Sequence, residues 1–159
     1  TFAFARNSPC EIFVTVPKLK THDMYPEEMV NPMRAELSDA GFEDLYTAGS
    51  VENALSKQGT TLLVINSVCG CAARNARPGA KMSLDGSKRP DQMVAVFAGV
   101  DKDAVDKARE FMMPFPPTYP CMALFKDGEL VHMLERHHIE GRPAELIAEN
   151  LQNAYNEYC

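Results

Sequence analysis

Two cysteines separated by one glycine, Cys69 and Cys71, have the residue type and spacing for thiol chemistry. They follow the most strand-like run of the chain, residues 61–66, and precede residues 72–77, which indicate the start of a helix. Residues two apart do not meet on a helix, and on a strand their Cα atoms lie about 6.5 Å apart, near the upper limit for a disulfide. A disulfide between them therefore needs a turn, which Gly70 tolerates. Because the small ring is expected to be strained, and strained exposed disulfides exchange readily, we predict a labile redox pair and not a structural crosslink.

A helix that begins beside the pair would favour a reactive sulfur. The first N–H groups of a helix lack intrahelical partners, and the helix dipole is positive at this end. A sulfur placed there is stabilised as the thiolate, which is the nucleophilic form. Arg74 and Arg77, one turn further along, are expected to add positive potential. We therefore predict that Cys69, outside the helix, is the more exposed attacking thiol, and that Cys71, just inside the first turn, is the resolving thiol.

Other interpretations of the pair stay open. Free cysteines are often small buried hydrophobic residues. Thiolates also bind zinc or copper, so Cys69, Cys71, Cys121 and a histidine would be the ligands of a metal-binding or metal-chaperone protein, which is the alternative function. Against a metal site, the sequence lacks two spaced cysteine pairs, and Cys-Gly-Cys supplies at most two ligands. A third interpretation is a protein-interaction module without redox activity.

Composition limits the class of protein and its partners. The 159 residues are 45% hydrophobic, which is enough for one domain with a core that needs no disulfide support. The net charge of −6 argues against nucleic-acid and anionic-membrane binding. No apolar run approaches 18 residues, and residues 1–17 lack a signal-peptide core, so we expect a cytoplasmic protein. The five cysteines do not form a secreted disulfide framework, and in a reducing compartment a close pair is catalytic or metal-binding.

The order of the remaining patterns predicts an α/β fold. Residues 1–23 form an N-terminal extension of unclear structure, with a β-prone run at 11–16, and residues 24–159 are predicted to form a single domain. Two helices are predicted first, at 26–40 and 50–58, followed by a strand at 61–66 and a helix at 72–84 with Pro78 as a kink. A strand at 93–98 comes next, and then a helix that is capped by Asp101 and reaches 113. The last predicted elements are strands at 121–126 and 129–134, joined by an Asp127-Gly128 turn, and a helix opened by Pro143. A crossover helix makes the first two core strands parallel, and the tight turn makes the last two antiparallel. This βαβαββα order is the core of the thioredoxin fold, with extra N-terminal helices.

Pro120 precedes the third core strand and follows Tyr119. In thioredoxin-like proteins a cis-proline occupies this position and faces the dithiol. The resemblance implies a cis Tyr119–Pro120 bond and substrate binding at these two residues, where the preceding backbone pairs with a bound peptide or thiol as an added strand. Cys121 would then lie near Cys69 as a bystander, a third exchange thiol or a metal ligand, and we favour the bystander.

Several stretches of the chain carry a closer resemblance. They are residues 32–37, 40–42, 64–73, 76–78, 96–99, 101–102, 122–124, 136–137 and 139–141. With the Cys-Gly-Cys motif at their centre, these stretches resemble the bacilliredoxins, bacterial thioredoxin-like proteins, over residues 24–159. Two features depart from that family: residues 1–23 have no counterpart, and Cys121 stands where a small polar residue is expected.

The resemblance implies a thiol–disulfide oxidoreductase that removes bacillithiol from mixed disulfides on protein cysteines, with disulfide isomerase activity as an addition. Cys69 would attack the mixed disulfide and take up bacillithiol, and Cys71 or free bacillithiol would resolve it. The expected partners are thiolated client proteins and bacillithiol or a similar thiol as co-substrate, with no tightly bound cofactor and no resident metal. Cys159 matches a C-terminal cysteine of family members, and the acidic last helix is a candidate homodimer surface.

Overall fold

The structure, a computed structural model, describes residues 24–159, and its centre is one five-stranded sheet. The strands are β1 (Glu43–Asp44), β2 (Thr60–Asn66), β3 (Gln92–Phe97), β4 (Cys121–Lys126) and β5 (Glu129–Leu134). They lie in the order β1-β3-β2-β4-β5, with β2 parallel to β3 and antiparallel to β4. Cys10 and the β-prone run at 11–16 lie outside the described residues.

Six α-helices and one π turn belong to the described part of the chain. They are α1 (Glu27–Ser38), α2 (Ala48–Leu55), the π turn (Ala72–Ala76), α3 (Arg77–Ser83), α4 (Lys102–Phe111), α5 (Arg136–Ile139) and α6 (Ala144–Tyr158). Residues of α1, α3 and α6 pack against one face of the sheet, and residues of α2 and α4 pack against the other. Within residues 24–159, no helix has both the length and the apolar character needed to cross a membrane.

Burial on both faces explains why the middle of the central strand β2, residues 62–65, is apolar at every position. Leu62 and Val64 enter the core beneath α1, α3 and α6, whereas Leu63 and Ile65 enter the core beneath α2 and α4. Successive side chains of a strand point to opposite faces, so a strand covered on both sides needs apolar residues at every position. This strand delivers the chain to the cysteine pair at the carboxyl end of β2.

Two short elements were not predicted from the sequence. The strand β1 has two residues and pairs with β3, and α5 has four residues and follows β5. Neither is long enough to show a period of two or of 3.6 residues. The hairpin turn, by contrast, was predicted correctly, because Asp127 and Gly128 both have positive φ, as this turn type requires.

The predicted helix at 72–84 is a π turn followed by α3, and Pro78 lies at the start of α3. The Arg77 N–H donates to the Ala72 carbonyl five residues back. Proline lacks an N–H and crowds the carbonyl four residues before it. The helical spacing therefore changes immediately before the proline, where a kink was predicted.

Asp101 is the N-cap residue of α4, as predicted, but its side chain makes no capping hydrogen bond. Its two carboxylate oxygens instead accept hydrogen bonds from the two Arg34 guanidinium nitrogens, at 2.8 Å each. One of them also accepts the Phe97 N–H at 2.8 Å. Both charged side chains are buried, so this ion pair joins α1 to the connection between β3 and α4.

Candidate active site at the end of the central strand

Cys69 and Cys71 are joined by a disulfide in the structure, with 5.4 Å between their Cα atoms. Helical backbone begins at Gly70, and the N–H groups of Ala72 and Ala73 donate to the Cys69 carbonyl at 3.0 and 3.2 Å. The turn that the spacing requires is therefore the first turn of a helix. The Cα separation lies well inside the usual disulfide range.

Gly70 lies in the turn between the two bonded cysteines, as predicted. It does not have a positive φ, so the turn does not depend on the conformational freedom of glycine. Apart from Cys69, Cys71 and the backbone of its own helix, no atom would lie within 4 Å of a Cβ at this exposed position. Gly70 therefore lies on an open part of the surface between the two cysteines.

The Cys69 sulfur accepts two hydrogen bonds. The Ala72 N–H lies 3.4 Å from it, and the Ser67 hydroxyl lies 3.2 Å from it. Cys69 thus takes the place of an N-cap side chain, which accepts an N–H from the first helical turn. Hydrogen bonds to the charged form of a group favour that form, so both donors favour a Cys69 thiolate once the disulfide is reduced.

Both cysteines are half-buried, although Cys69 was predicted to be the more exposed. Exposure therefore does not rank Cys69 above Cys71 as the attacking thiol. The hydrogen bonds do distinguish them: within residues 24–159, the Ser67 hydroxyl and the Ala72 N–H donate to the Cys69 sulfur, and the Cys71 sulfur accepts none. The assignment of attacking and resolving thiols stays a prediction.

Arg77 was expected to add positive potential at the thiolate, but its side chain is only 2% exposed and its charge is paired. Its Nε donates to a Glu36 carboxylate oxygen at 2.8 Å. One terminal nitrogen donates to the Asn66 side-chain oxygen and to the Ser67 carbonyl, at 3.1 Å each. Arg77 therefore fixes the segment between β2 and Cys69, whereas Arg74 is exposed to solvent.

Sequence reasoning missed this support of the cysteine loop. The Asn66 side-chain oxygen also accepts the Ser67 N–H at 2.9 Å, and the Asn66 amide donates to the Met33 carbonyl at 3.3 Å. The available signal was two adjacent polar residues at the end of an apolar strand, just before the cysteines. Polar groups that are buried need hydrogen-bond partners, so such residues indicate a local network.

The Tyr119–Pro120 peptide bond is cis, the geometry expected from the thioredoxin-like resemblance. Cys121 pairs with Ile65 in the β4–β2 register, so Pro120 lies level with the last residue of β2. The Tyr119 carbonyl accepts a hydrogen bond from the Arg136 guanidinium at 3.3 Å. Burial raises the pKa of the Tyr119 hydroxyl. Tyr119 and Pro120 thus lie at the end of the sheet that carries the cysteine pair, and their role in substrate binding stays a prediction.

The structure does not bring the Cys121 thiol to the pair. Its side chain is fully buried in the core between the sheet and helices α2 and α4, whereas the helix after Cys71 covers the opposite face. Burial raises the pKa of the Cys121 thiol to about 12. Within residues 24–159, no three histidine, cysteine or acidic side chains are grouped closely enough to hold a metal ion. The metal-site alternative therefore lacks its third sulfur.

Cys159 is exposed at the opposite end of the sheet. The Lys126 ammonium donates to the carbonyl of the preceding residue, Tyr158, at 2.8 Å, and Lys126 pairs with Thr60 at the start of β2. Because β2 has seven residues, its two ends lie about 20 Å apart. Cys159 is thus remote from Cys69 within one chain.

Comparison with known proteins identifies the family. A family model described as disulphide isomerase matches residues 25–159. A bacilliredoxin of Cytophaga hutchinsonii is 58% identical over 134 residues, which are 84% of this chain and 99% of the relative. The chain belongs to the bacilliredoxin family. A second bacilliredoxin, from Halalkalibacterium halodurans, is 51% identical over 87% of this chain and 96% of its own length.

A solved structure supports the fold of this bacilliredoxin chain. The reduced thioredoxin pre-protein of Schistosoma mansoni superposes with a TM-score of 0.52 and 16% identity, covering 74% of this chain and 98% of that protein. The prediction of a thioredoxin-like α/β fold is confirmed. Together with the family and the cysteine disulfide, the fold makes this chain a thiol–disulfide oxidoreductase.

Proposed function

We propose that this protein removes bacillithiol, or a similar low-molecular-weight thiol, from mixed disulfides on protein cysteines. The observation that carries the proposal is the Cys69 sulfur, which accepts hydrogen bonds from the Ser67 hydroxyl and the Ala72 N–H. Both donors favour a negatively charged sulfur, and thiolates are the nucleophiles of disulfide exchange. The bacilliredoxin name of the relatives supports bacillithiol as the co-substrate.

The proposed reaction has two exchange steps. The Cys69 thiolate attacks the bacillithiol sulfur of the mixed disulfide, a new sulfur–sulfur bond forms, and the client thiolate leaves and takes a proton from water. The Cys71 thiolate then attacks the Cys69 sulfur and releases bacillithiol, which leaves the Cys69–Cys71 disulfide present in the structure. Alternatively, free bacillithiol attacks the bound bacillithiol sulfur, which releases the Cys69 thiolate and a bacillithiol disulfide. A dithiol, or two low-molecular-weight thiols, must supply the two electrons that reduce the Cys69–Cys71 disulfide.

The surroundings of the pair suit a large client. Gly70 is exposed, and the space where its side chain would stand is open. We propose that the client chain lies against Tyr119 and Pro120, at the same end of the sheet. We place the reaction in the cytoplasm, where low-molecular-weight thiols keep cysteines reduced.

Isomerisation of client disulfides is a second candidate activity. The family model that matches residues 25–159 is described as disulphide isomerase, and this favours it. The same Cys69 thiolate would attack a client disulfide, and a client thiol would then displace it and form a different pairing. Recovery of activity by a scrambled disulfide protein tests this reaction, and Cys69→Ser should abolish the recovery.

Trapping of the intermediate tests the proposed function. Cys69→Ser and Cys71→Ser are each incubated with a protein that carries a bacillithiol mixed disulfide, and intact mass spectrometry measures the adduct. We expect Cys71→Ser to accumulate one bacillithiol on Cys69, because the resolving thiol is missing, and Cys69→Ser to accumulate none. Adduct on Cys69→Ser alone would reverse the two roles.

A distant cysteine provides the matched control. Cys159→Ser changes a thiol about 20 Å from the pair, so it should behave as the parent protein in the same assay. Metal analysis of the protein purified under reducing conditions tests the alternative function. One tightly held zinc or copper per chain, with Cys69 and Cys71 protected from alkylation, would replace the redox proposal with a metal-binding one.

A further inference from the structure

A continuous set of polar contacts leads from the surface of α1 to the Cys69 sulfur. We propose that the Ser67 hydroxyl is a catalytic hydrogen-bond donor that stabilises the Cys69 thiolate, and that Arg77 is the positioning residue that aims it. The inference rests on the proposed attack by Cys69 and names the groups that make this sulfur reactive.

The direction of the hydrogen bond follows from the disulfide. The Cys69 sulfur carries no proton while it is bonded to Cys71, so the Ser67 hydroxyl, 3.2 Å away, is the donor. After reduction the same hydroxyl can donate to a thiolate, and hydrogen bonds to a charged acceptor are stronger than those between neutral groups. Ser67 therefore stabilises the attacking form of Cys69 more than its protonated form.

The backbone of Ser67 is held on both sides. Its N–H donates to the Asn66 side-chain oxygen, and its carbonyl accepts from Arg77. Because the Arg77 nitrogen also donates to the Asn66 side-chain oxygen, one guanidinium fixes both groups. The hydroxyl is thereby presented to Cys69 from an ordered backbone.

Glu36 makes a buried arginine tolerable at this position. The Arg77 side chain is 2% exposed, whereas the Glu36 side chain that pairs with it is 39% exposed and so reaches the protein surface. A buried charge without a partner is costly. A lysine at position 77 would keep the charge but could not hold the loop with a planar, forked set of donors.

Ser67→Ala tests the donor directly. In a Cys71→Ser background, the rate of Cys69 alkylation by iodoacetamide is followed against pH, with peptide mass spectrometry to report Cys69 alone. We expect Ser67→Ala to raise the apparent pKa of Cys69 by about one unit, since the thiolate loses a charge-assisted hydrogen bond. Ser67→Thr retains a hydroxyl and should restore the parent value to within about 0.3 unit. An unchanged pKa in Ser67→Ala would refute the role of the hydroxyl.

Arg77→Lys tests the positioning role, with circular dichroism to show that the variant is folded. We expect a pKa increase in the same direction as Ser67→Ala, and no further increase when the two are combined, because Arg77 acts through Ser67. If Arg77→Lys does not fold, Glu36→Gln is used in its place. Glu36 is half-buried, and its substitution removes the carboxylate that holds the Arg77 guanidinium. If the folded Arg77 variant has the same Cys69 pKa as the parent protein, Arg77 does not position Ser67. The same conclusion follows if the pKa increases of Ser67→Ala and Arg77→Lys add up in the double variant.

The pKa measurement and the trapping experiment test the Ser67 inference and the proposed function independently. Alkylation by iodoacetamide does not depend on which thiol or client is physiological, so the pKa result stands even if bacillithiol is the wrong co-substrate. Conversely, trapping of bacillithiol on Cys71→Ser with an unchanged pKa in Ser67→Ala would retain the proposed function and reject only the Ser67 inference.

Discussion

The Cys121 thiol should be inert while the protein is folded. Its side chain is fully buried between the sheet and helices α2 and α4, and burial raises its pKa to about 12. The nearby Arg109 charge lowers this pKa and the Glu135 charge raises it, both by less than burial does. At pH 8 a thiol with that pKa is ionised in about one molecule in 10,000, which is about a thousandfold less than an ordinary exposed thiol.

Pulsed alkylation measures this difference. The reduced protein is exposed to iodoacetamide at pH 8 for increasing times, quenched and digested, and mass spectrometry follows the peptides that contain Cys121 and Cys159. We expect the exposed Cys159 to be modified about a thousand times faster, and Cys121 to become reactive only in denaturant. Similar rates for the two cysteines in the folded protein would refute the assignment of Cys121 to the core.

Cys121→Ala tests whether the buried thiol takes part in thiol exchange. Removal of the buried sulfur should lower the free energy of unfolding by about 1 kcal/mol, because a small cavity remains, and should leave thiol exchange at the parent rate. Cys69→Ala is the matched variant that should lose the exchange. Loss of exchange in a folded Cys121→Ala would mean that the site uses three thiols.

The same pKa predicts how stability depends on alkaline pH. The reference pKa of the Cys121 thiol is 9.0, and its folded pKa is about 12, so above pH 9 the unfolded state loses a proton that the folded state retains. The contribution of Cys121 is therefore complete below pH 9 and is lost as the pH rises towards 12. Urea unfolding across this range should show a smaller loss in Cys121→Ala than in the parent, and equal losses would contradict the raised pKa.

Two further comparisons test the contacts that frame the site. Asp101→Asn leaves the buried Arg34 charge without its partner, so the free energy of unfolding should fall by about 3 kcal/mol in urea denaturation, whereas Asp106→Asn breaks an exposed pair and should leave the curve nearly unchanged. Equal losses would contradict the buried pair. Gly70→Ala adds a Cβ in open space and should leave thermal stability unchanged or slightly raised, whereas Gly79→Ala places a Cβ 2.7 Å from a side-chain carbon of α6 and should lower the free energy of unfolding by about 1–3 kcal/mol. A destabilised Gly70→Ala would show that this position is not open.

Local patterns predicted the elements that depend on neighbouring residues. The continuous apolar run of β2 predicted a strand covered on both faces, and Asp127-Gly128 predicted the hairpin. The apolar spacing of α1 predicted a helix within two residues of its observed bounds. Each of these features is governed by backbone preferences and periodicity inside one short segment.

Contacts between distant segments could not be predicted in this way. Asp101 has the residue type of a helix cap, but Arg34, 67 positions away, takes its carboxylate. Arg77 lies one turn from the cysteines, yet Glu36, 41 positions away, pairs with its charge. Because many residues compete for a buried charge, only the packing of the helices decides which one meets it.

The sequence by itself determined that two cysteines with one intervening glycine follow a buried strand and open a helix, and it predicted thiol–disulfide exchange with metal binding as the alternative. It also determined the thioredoxin-like order of elements, because each element is set by its own residues. Only the tertiary structure decided which groups reach the Cys69 sulfur and on which face of the sheet Cys121 lies. The physical reason is that strand register and helix packing depend on contacts between distant segments, and these contacts place Ser67 beside the reactive sulfur and Cys121 in the opposite core.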